Sequence, residues 1–133
     1  MPITLSPARL AVREAVIVEH MESENVHEWD RTMRTFSRAR YELPDGTIHD
    51  GSDEVMRYWL EGRAHIPDQR NELIALTHLD DDNSQIEFWL RGTPTGAGTP
   101  FEVGVPFEIR LFAVLDRKST RLNSSHIPLS RMP

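Results

Sequence analysis

The chain has 133 residues, with 15 basic side chains against 21 acidic ones for a net charge of −6, 38% hydrophobic residues and no cysteine. That fits one compact domain able to bury roughly two thirds of the surface its unfolded form exposes, and it excludes a disulfide framework, a thiol nucleophile and a thiolate metal site. The acidic balance argues against a nucleic-acid surface, and no apolar run approaches the roughly 20 residues that a bilayer crossing needs. The N-terminal MPITLSPARL lacks the basic-then-apolar pattern of a signal peptide, so the expected location is the cytoplasm.

Ser6 followed by Pro7 reads as a helix start, because serine caps free amide groups and proline suits the first turn. The apolar positions Leu10, Ala11, Ala15, Ile17, Val18 and Met21 approximate the helical period to about Glu24, with His20 near the inner edge. Asn25 and Glu28 have capping-box spacing ahead of a shorter helix carrying Trp29, Met33 and Phe36. The PDGT stretch, Pro44 to Thr47, is a turn between short extended pieces at Tyr41–Leu43 and Ile48–Asp50. Ser52 or Asp53 caps a third helix whose inward side is Val55, Tyr58, Trp59 and Gly62, and Pro67 limits its end.

The periodicity then changes to two. Asn71 to Leu79 is extended, DDDN is a turn, and Ile86, Phe88 and Leu90 alternate with Glu87, Trp89 and Arg91, so a hairpin is expected. After the linker from Gly92 to Pro100, an apolar row runs from Phe101 through Val103, Val105, Phe107, Ile109 and Leu111 to Ala113, the mark of one long strand. Three helices followed by an antiparallel meander predict an α+β domain with the helices on one side of the sheet.

The composition breaks near Asp116. Every basic residue before it is Arg, and Lys118, the single Lys, follows it. Asp116 to His126 reads DRKSTRLNSSH, which resembles, codon for codon, a same-frame translation of a common sequencing adapter, and the final SRMP resembles a later stretch of the same oligonucleotide. Composition alone fits a natural basic, Ser-rich tail. On the adapter reading the domain spans residues 1–115, residues 116–133 are a non-native tail without function, and the authentic part carries −9 once four basic side chains and one acidic one are set aside.

The order of elements, with VREAVIVEHMESENVHEWDRTMRTF, RYELPDGTIHDG, PDQRNELIAL and EFWLRGT, resembles the SnoaL-like, polyketide cyclase-like branch of the nuclear transport factor 2-like superfamily. The resemblance implies a cone in which a curved antiparallel sheet wraps the N-terminal helices around a mainly apolar pocket. It further implies no cofactor, a small apolar ligand and a homodimer. The superfamily holds cyclases, steroid isomerases, dehydratases and epoxide hydrolases beside members without known catalysis, so the fold leaves the reaction open. Its members usually add a final strand after the long one, from which cyclases contribute an acidic residue. The tail has too little alternation to replace that strand, so the long strand is expected to keep an unpaired edge.

The resemblance places His20 where steroid isomerases put a tyrosine donor, making it a candidate oxyanion partner, or else a helix-edge histidine paired with Glu24. Glu42 falls where those enzymes carry a carboxylate base, or is a solvated strand residue if the register shifts by one and turns Tyr41 inward. Tyr58 and Trp59 match pocket-lining aromatic positions, or are plain core. Trp89 and Arg91, with Glu87, either anchor a ligand or form the outer, dimer-facing side of the sheet. His20, Glu24 and His27 share a helix face without a zincin signature, and DDDN lacks the central Gly and terminal Glu of a calcium loop, so no metal site is expected. Two functions follow. One is a cyclase, isomerase or dehydratase acting on an apolar carbonyl compound by carboxylate-assisted proton transfer; the other is a non-catalytic hydrophobic-ligand-binding or dimerisation domain.

Overall fold

The structure, a computed structural model, describes residues 3–116 and the backbone of 124–126. Helix α1 spans Pro7–Asn25, and the Ser6 hydroxyl accepts from the Arg9 amide at 3.3 Å, as the Ser-Pro start predicts. Helix α2 is a short Trp29–Met33 segment. The expected capping box does not form, because Asn25 still belongs to the last turn of α1. Its amide grips a distant strand instead, donating to the Asn71 carbonyl (2.8 Å) and accepting from the Asn71 amide (2.7 Å).

Strands β1 (Arg40–Glu42) and β2 (Ile48–Asp50) pair antiparallel across the PDGT turn. Helix α3, Ser52–His65, begins not on a Ser52 or Asp53 side chain but on Gly51, whose φ of 96° is a left-handed conformation that glycine adopts without steric cost. Strands β3 (Arg70–His78), β4 (Asn83–Gly92) and β5 (Phe107–Asp116) form an antiparallel meander. In the turn between β3 and β4 the Asp80 carboxylate accepts from the Asp82 and Asn83 amides, each at 2.8 Å. The Asp81 carboxylate accepts from the Thr4 amide at 2.7 Å and ties down the start of the chain.

The long strand is shorter than its apolar row. Phe101 to Pro106 is a loop in which Val103 and Val105 are exposed, because Gly104 turns at φ 79° and Pro106 has no amide hydrogen for a ladder. Phe101 folds back onto Phe107, their rings 3.8 Å apart and nearly parallel.

A second correction concerns the free edge. Residues Ser124–His126 form a sixth strand, β6, antiparallel to β5 at Val114–Asp116 and parallel to β1, giving the order β2-β1-β6-β5-β4-β3. A strand edge pairs through its backbone, so a segment with no side-chain alternation can still add to it. Residues 117–123 and 127–133 of the adapter-like tail lie outside the described residues. The inner sheet face, with Ile86, Phe88, Ile109, Leu111, Ala113 and Leu115 buried, meets Ile17 and Met21 of α1 and Val55 and Trp59 of α3 in one core. No helix among the described residues is long and apolar enough to cross a membrane.

Candidate functional site

The core is not filled. Between α1, α3 and the inner sheet face lies a cavity of about 430 Å³ with walls of Ile17, Met21, Trp59, Ile86, Phe88, Leu90, Leu111, Ala113 and Leu115. The alternation of β4 and β5 directs these apolar residues inward and their charged neighbours outward. A few polar groups interrupt the apolar wall: His20 and Glu24 one helical turn apart on α1, Tyr41 from β1, Tyr58 and Arg63 from α3, Asp45 from the PDGT turn, and Gln69 and Asn71 at the start of β3. Mainly apolar lining with a small set of placed polar groups is the usual form of a small-molecule site.

The polar groups are joined. The Thr35 hydroxyl donates to the Thr32 carbonyl at 2.6 Å, which commits its one hydrogen and leaves its oxygen to accept from His20 Nδ1 at 2.7 Å. That assigns the Nδ1–H tautomer to neutral His20 and leaves Nε2 as an acceptor, 3.0 Å from the Tyr41 hydroxyl. Tyr41 also lies 3.1 Å from Glu24 Oε2 and accepts from the Trp59 indole N–H at 3.2 Å, while Glu24 Oε1 is 3.6 Å from His20 Nε2. With Glu24 as a carboxylate, His20, Tyr41 and Glu24 thus compete for a single hydrogen, the phenolic one. Ser23 braces the arrangement from behind, donating to the His20 carbonyl (3.0 Å) and sharing a 2.7 Å hydrogen bond with the Thr32 hydroxyl.

Burial sets the protonation states. His20 is 5% exposed, and loss of solvation pushes its pKa below the ordinary 6.5, an effect that the nearby Glu24 charge opposes. Burial, then the Glu24 charge, holds the Tyr41 pKa well above its ordinary value, and the same two causes push Tyr58 up to about 12. Both phenols therefore remain donors at neutral pH. The His20 shift has a consequence for stability. Between the lowered native pKa and 6.5 the unfolded chain binds more protons than the native one, so this contribution is complete above pH 6.5 and is lost as pH falls toward the native value. Urea unfolding at pH 7.5 and 5.5 should show the loss, and His20→Gln should reduce it; an equal pH dependence in the variant would contradict this origin.

The candidate residues divide cleanly. His20, Tyr41, Tyr58 and Trp59 line the cavity. His20 faces the cavity and also sits beside Glu24, but with its Nδ1–H committed to Thr35 the neutral ring has no hydrogen to give an oxyanion. Glu42 is outside the lining. The buried member of β1 is Tyr41, so Glu42 projects from the opposite face with Arg40, 3.7 Å from its guanidinium. Trp89 and Arg91 also lie outside the cavity, because Ile86, Phe88 and Leu90 take the inner face of β4. Arg91 spends its donors on Glu108 (2.6 Å) and Glu72 (2.5 Å) and lies over the Trp89 ring. Arg110 pairs with Glu87 in the same outer layer. Sequence reasoning passed over Arg63 and Asn71, and it weighed Glu24 as a partner for His20 and as a metal ligand but not as a base. The i, i+4 spacing of His20 and Glu24 was the available signal, since it puts both groups on one face of α1. Among the described residues no group of three or more His, Asp or Glu side chains is placed to hold a metal ion.

A cavity between helices and the inner face of an open, mainly antiparallel sheet defines an α+β protein of the nuclear transport factor 2-like fold. Solved structures share it. The chain is similar to a nuclear transport factor 2-like protein of unknown function from Burkholderia pseudomallei, with a TM-score of 0.76, 14% identity and coverage of 90% of this chain and 91% of that one. It is similar to a candidate SnoaL-like polyketide cyclase from Jannaschia sp. CCS1, with a TM-score of 0.76, 11% identity and coverage of 95% and 90%. A Catenulispora acidiphila protein of ketosteroid isomerase-like fold, solved in complex with trimethylamine, aligns with a TM-score of 0.71, 15% identity and coverage of 86% and 85%. No protein-family profile and no curated protein sequence matches the chain. Likeness at these identities shows the fold.

Proposed function

We propose that the protein is a SnoaL-like small-molecule pocket protein that acts on a small apolar carbonyl compound by moving a proton, the chemistry that cyclases, isomerases and dehydratases share. The observation that carries this reading is the His20–Tyr41–Glu24 cluster set in the wall of an otherwise apolar cavity. Candidate polyketide cyclases among the similar structures support it. Glu24 takes the role of base that the resemblance gave to Glu42. Its carboxylate lines the cavity and accepts a proton from the carbon beside the ligand carbonyl, while the Tyr58 phenol, kept protonated by burial, donates to the oxygen on which negative charge develops. Tyr41 donates to the carboxylate and holds it in place, and His20 Nε2 offers the Tyr41 hydroxyl a second acceptor. No cofactor enters this proposal. The adapter-like tail takes no part in it; among the described lining residues none lies beyond Leu115. On this proposal a second copy of the chain packs on the outer sheet face around Trp89.

The test is deuterium exchange. With 2-acetonaphthone in D₂O, proton NMR should show the methyl protons beside the carbonyl exchanging faster with the protein than in buffer alone. Binding by calorimetry without faster exchange would favour the non-catalytic, hydrophobic-ligand-binding reading of the same pocket.

A further inference from the structure

Among the described residues the cavity wall holds one cation that the proton-transfer chemistry does not use. Arg63 lines the cavity from α3, and its guanidinium carbon lies 5.2 Å from the centre of the Trp29 ring, a cation–π contact that fixes the group without neutralising it. No carboxylate among the described residues lies within ion-pair distance of it. The two carboxylates in the lining are occupied elsewhere, Glu24 with Tyr41 and Asp45 with the Thr47 amide at 2.9 Å. Among the described residues Arg63 Nε, which is buried, has no acceptor, and the buried Asn71 Oδ1, also in the lining, has no donor. A buried donor left unpaired is destabilising, more so when it is charged. The guanidinium therefore gains from an acceptor brought by a ligand. Its charge already reaches the pocket, since it opposes the upward shift of Tyr58 and favours the neutral form of His27.

We infer that Arg63 is the specificity-determining residue of this cavity and selects apolar ligands that carry a carboxylate, which it holds through Nε–H and the adjoining guanidinium N–H groups. Planar carboxylates match this fork in a two-point contact. Asn71 Oδ1, an acceptor, is placed for a hydroxyl or protonated group on the same ligand. The inference rests on the proposed ligand site, and it adds an anionic group to a ligand otherwise described only as apolar and carbonyl-bearing.

A matched pair of probes tests it: 2-naphthoate, which carries the carboxylate, and 2-acetonaphthone, which is neutral and of nearly the same shape. Calorimetry on the full chain should show 2-naphthoate binding about tenfold more tightly, a preference worth about 1.4 kcal/mol. Arg63→Met should erase that preference by weakening 2-naphthoate far more than 2-acetonaphthone, and Arg63→Lys should restore part of it. Circular dichroism of each variant confirms folding, with Arg63→Gln as the alternative should the Met variant fail to fold. Equal affinity for the two probes, or a preference that survives Arg63→Met, overturns the inference. In that case binding and exchange of 2-acetonaphthone would leave the proton-transfer reading standing, whereas failure of both probes to bind would remove both.

Discussion

Glu24→Gln is expected to slow deuterium exchange of 2-acetonaphthone by about 10²–10⁴-fold, the usual contribution of a positioned general base. The substitution keeps the volume of the side chain and an oxygen that can accept from Tyr41, so packing around the cluster is preserved. What it removes is the only group in the His20–Tyr41–Glu24 cluster with a free lone pair and a negative charge facing the cavity. Affinity for the ketone should change little, because most of the binding surface is aliphatic and aromatic. Glu42→Gln is the informative control. Glu42 lies outside the cavity lining, on the face of β1 opposite Tyr41, and its variant should exchange at the wild-type rate. Loss of activity in Glu42→Gln with retention in Glu24→Gln would return the base to the position that the family resemblance implies.

The largest expected change in stability is at Trp59. Its side chain is 1% exposed, stacks on Trp29 with ring centres 5.2 Å apart, contacts Phe36 and Tyr41 through their rings and donates to the Tyr41 hydroxyl. Trp59→Ala should cost about 3–5 kcal/mol, the range for deleting a buried aromatic side chain. Against a total of about 5–15 kcal/mol for a domain, that removes a large part of the margin. Trp59→Phe separates the two causes. It keeps most of the ring packing and deletes the N–H, so its cost should be near the 0.5–1.5 kcal/mol of one hydrogen bond plus a small packing loss. Urea titration of both variants measures the difference, and an Ala variant as stable as the Phe variant would contradict the packing account.

Much of the fold could be read from pattern because it rests on local chemistry. The Ser6–Pro7 cap, the PDGT turn and the alternation of β4 each follow from a residue's own backbone preference or from period-two burial. The misreadings have two causes, a distant partner that takes a local signal and a local break in the strand pattern. Asn25 has capping-box spacing, yet its side chain is held by the backbone of Asn71, 46 positions away. The apolar row from Phe101 continues the strand pattern, but Gly104 and Pro106 turn the chain before the ladder begins. The site was half legible for a related reason. Helical spacing brought out His20, Tyr58 and Trp59, whereas the facing of Tyr41 and Glu42 depends on a one-residue register that only the pairing of β1 with β2 decides. Arg63 gave no sequence signal, since an arginine on an amphipathic helix ordinarily faces solvent.

The most direct measurement of the central claim is a nitrogen-detected NMR titration of the His20 ring, with and without 2-acetonaphthone. The account predicts a neutral ring with its proton on Nδ1 at pH 7, a pKa below the ordinary 6.5, and a shift of the Nε2 resonance when the ketone enters the cavity. A ring that titrates at the ordinary histidine value and ignores the ketone would contradict the assignment of this cluster as the functional site.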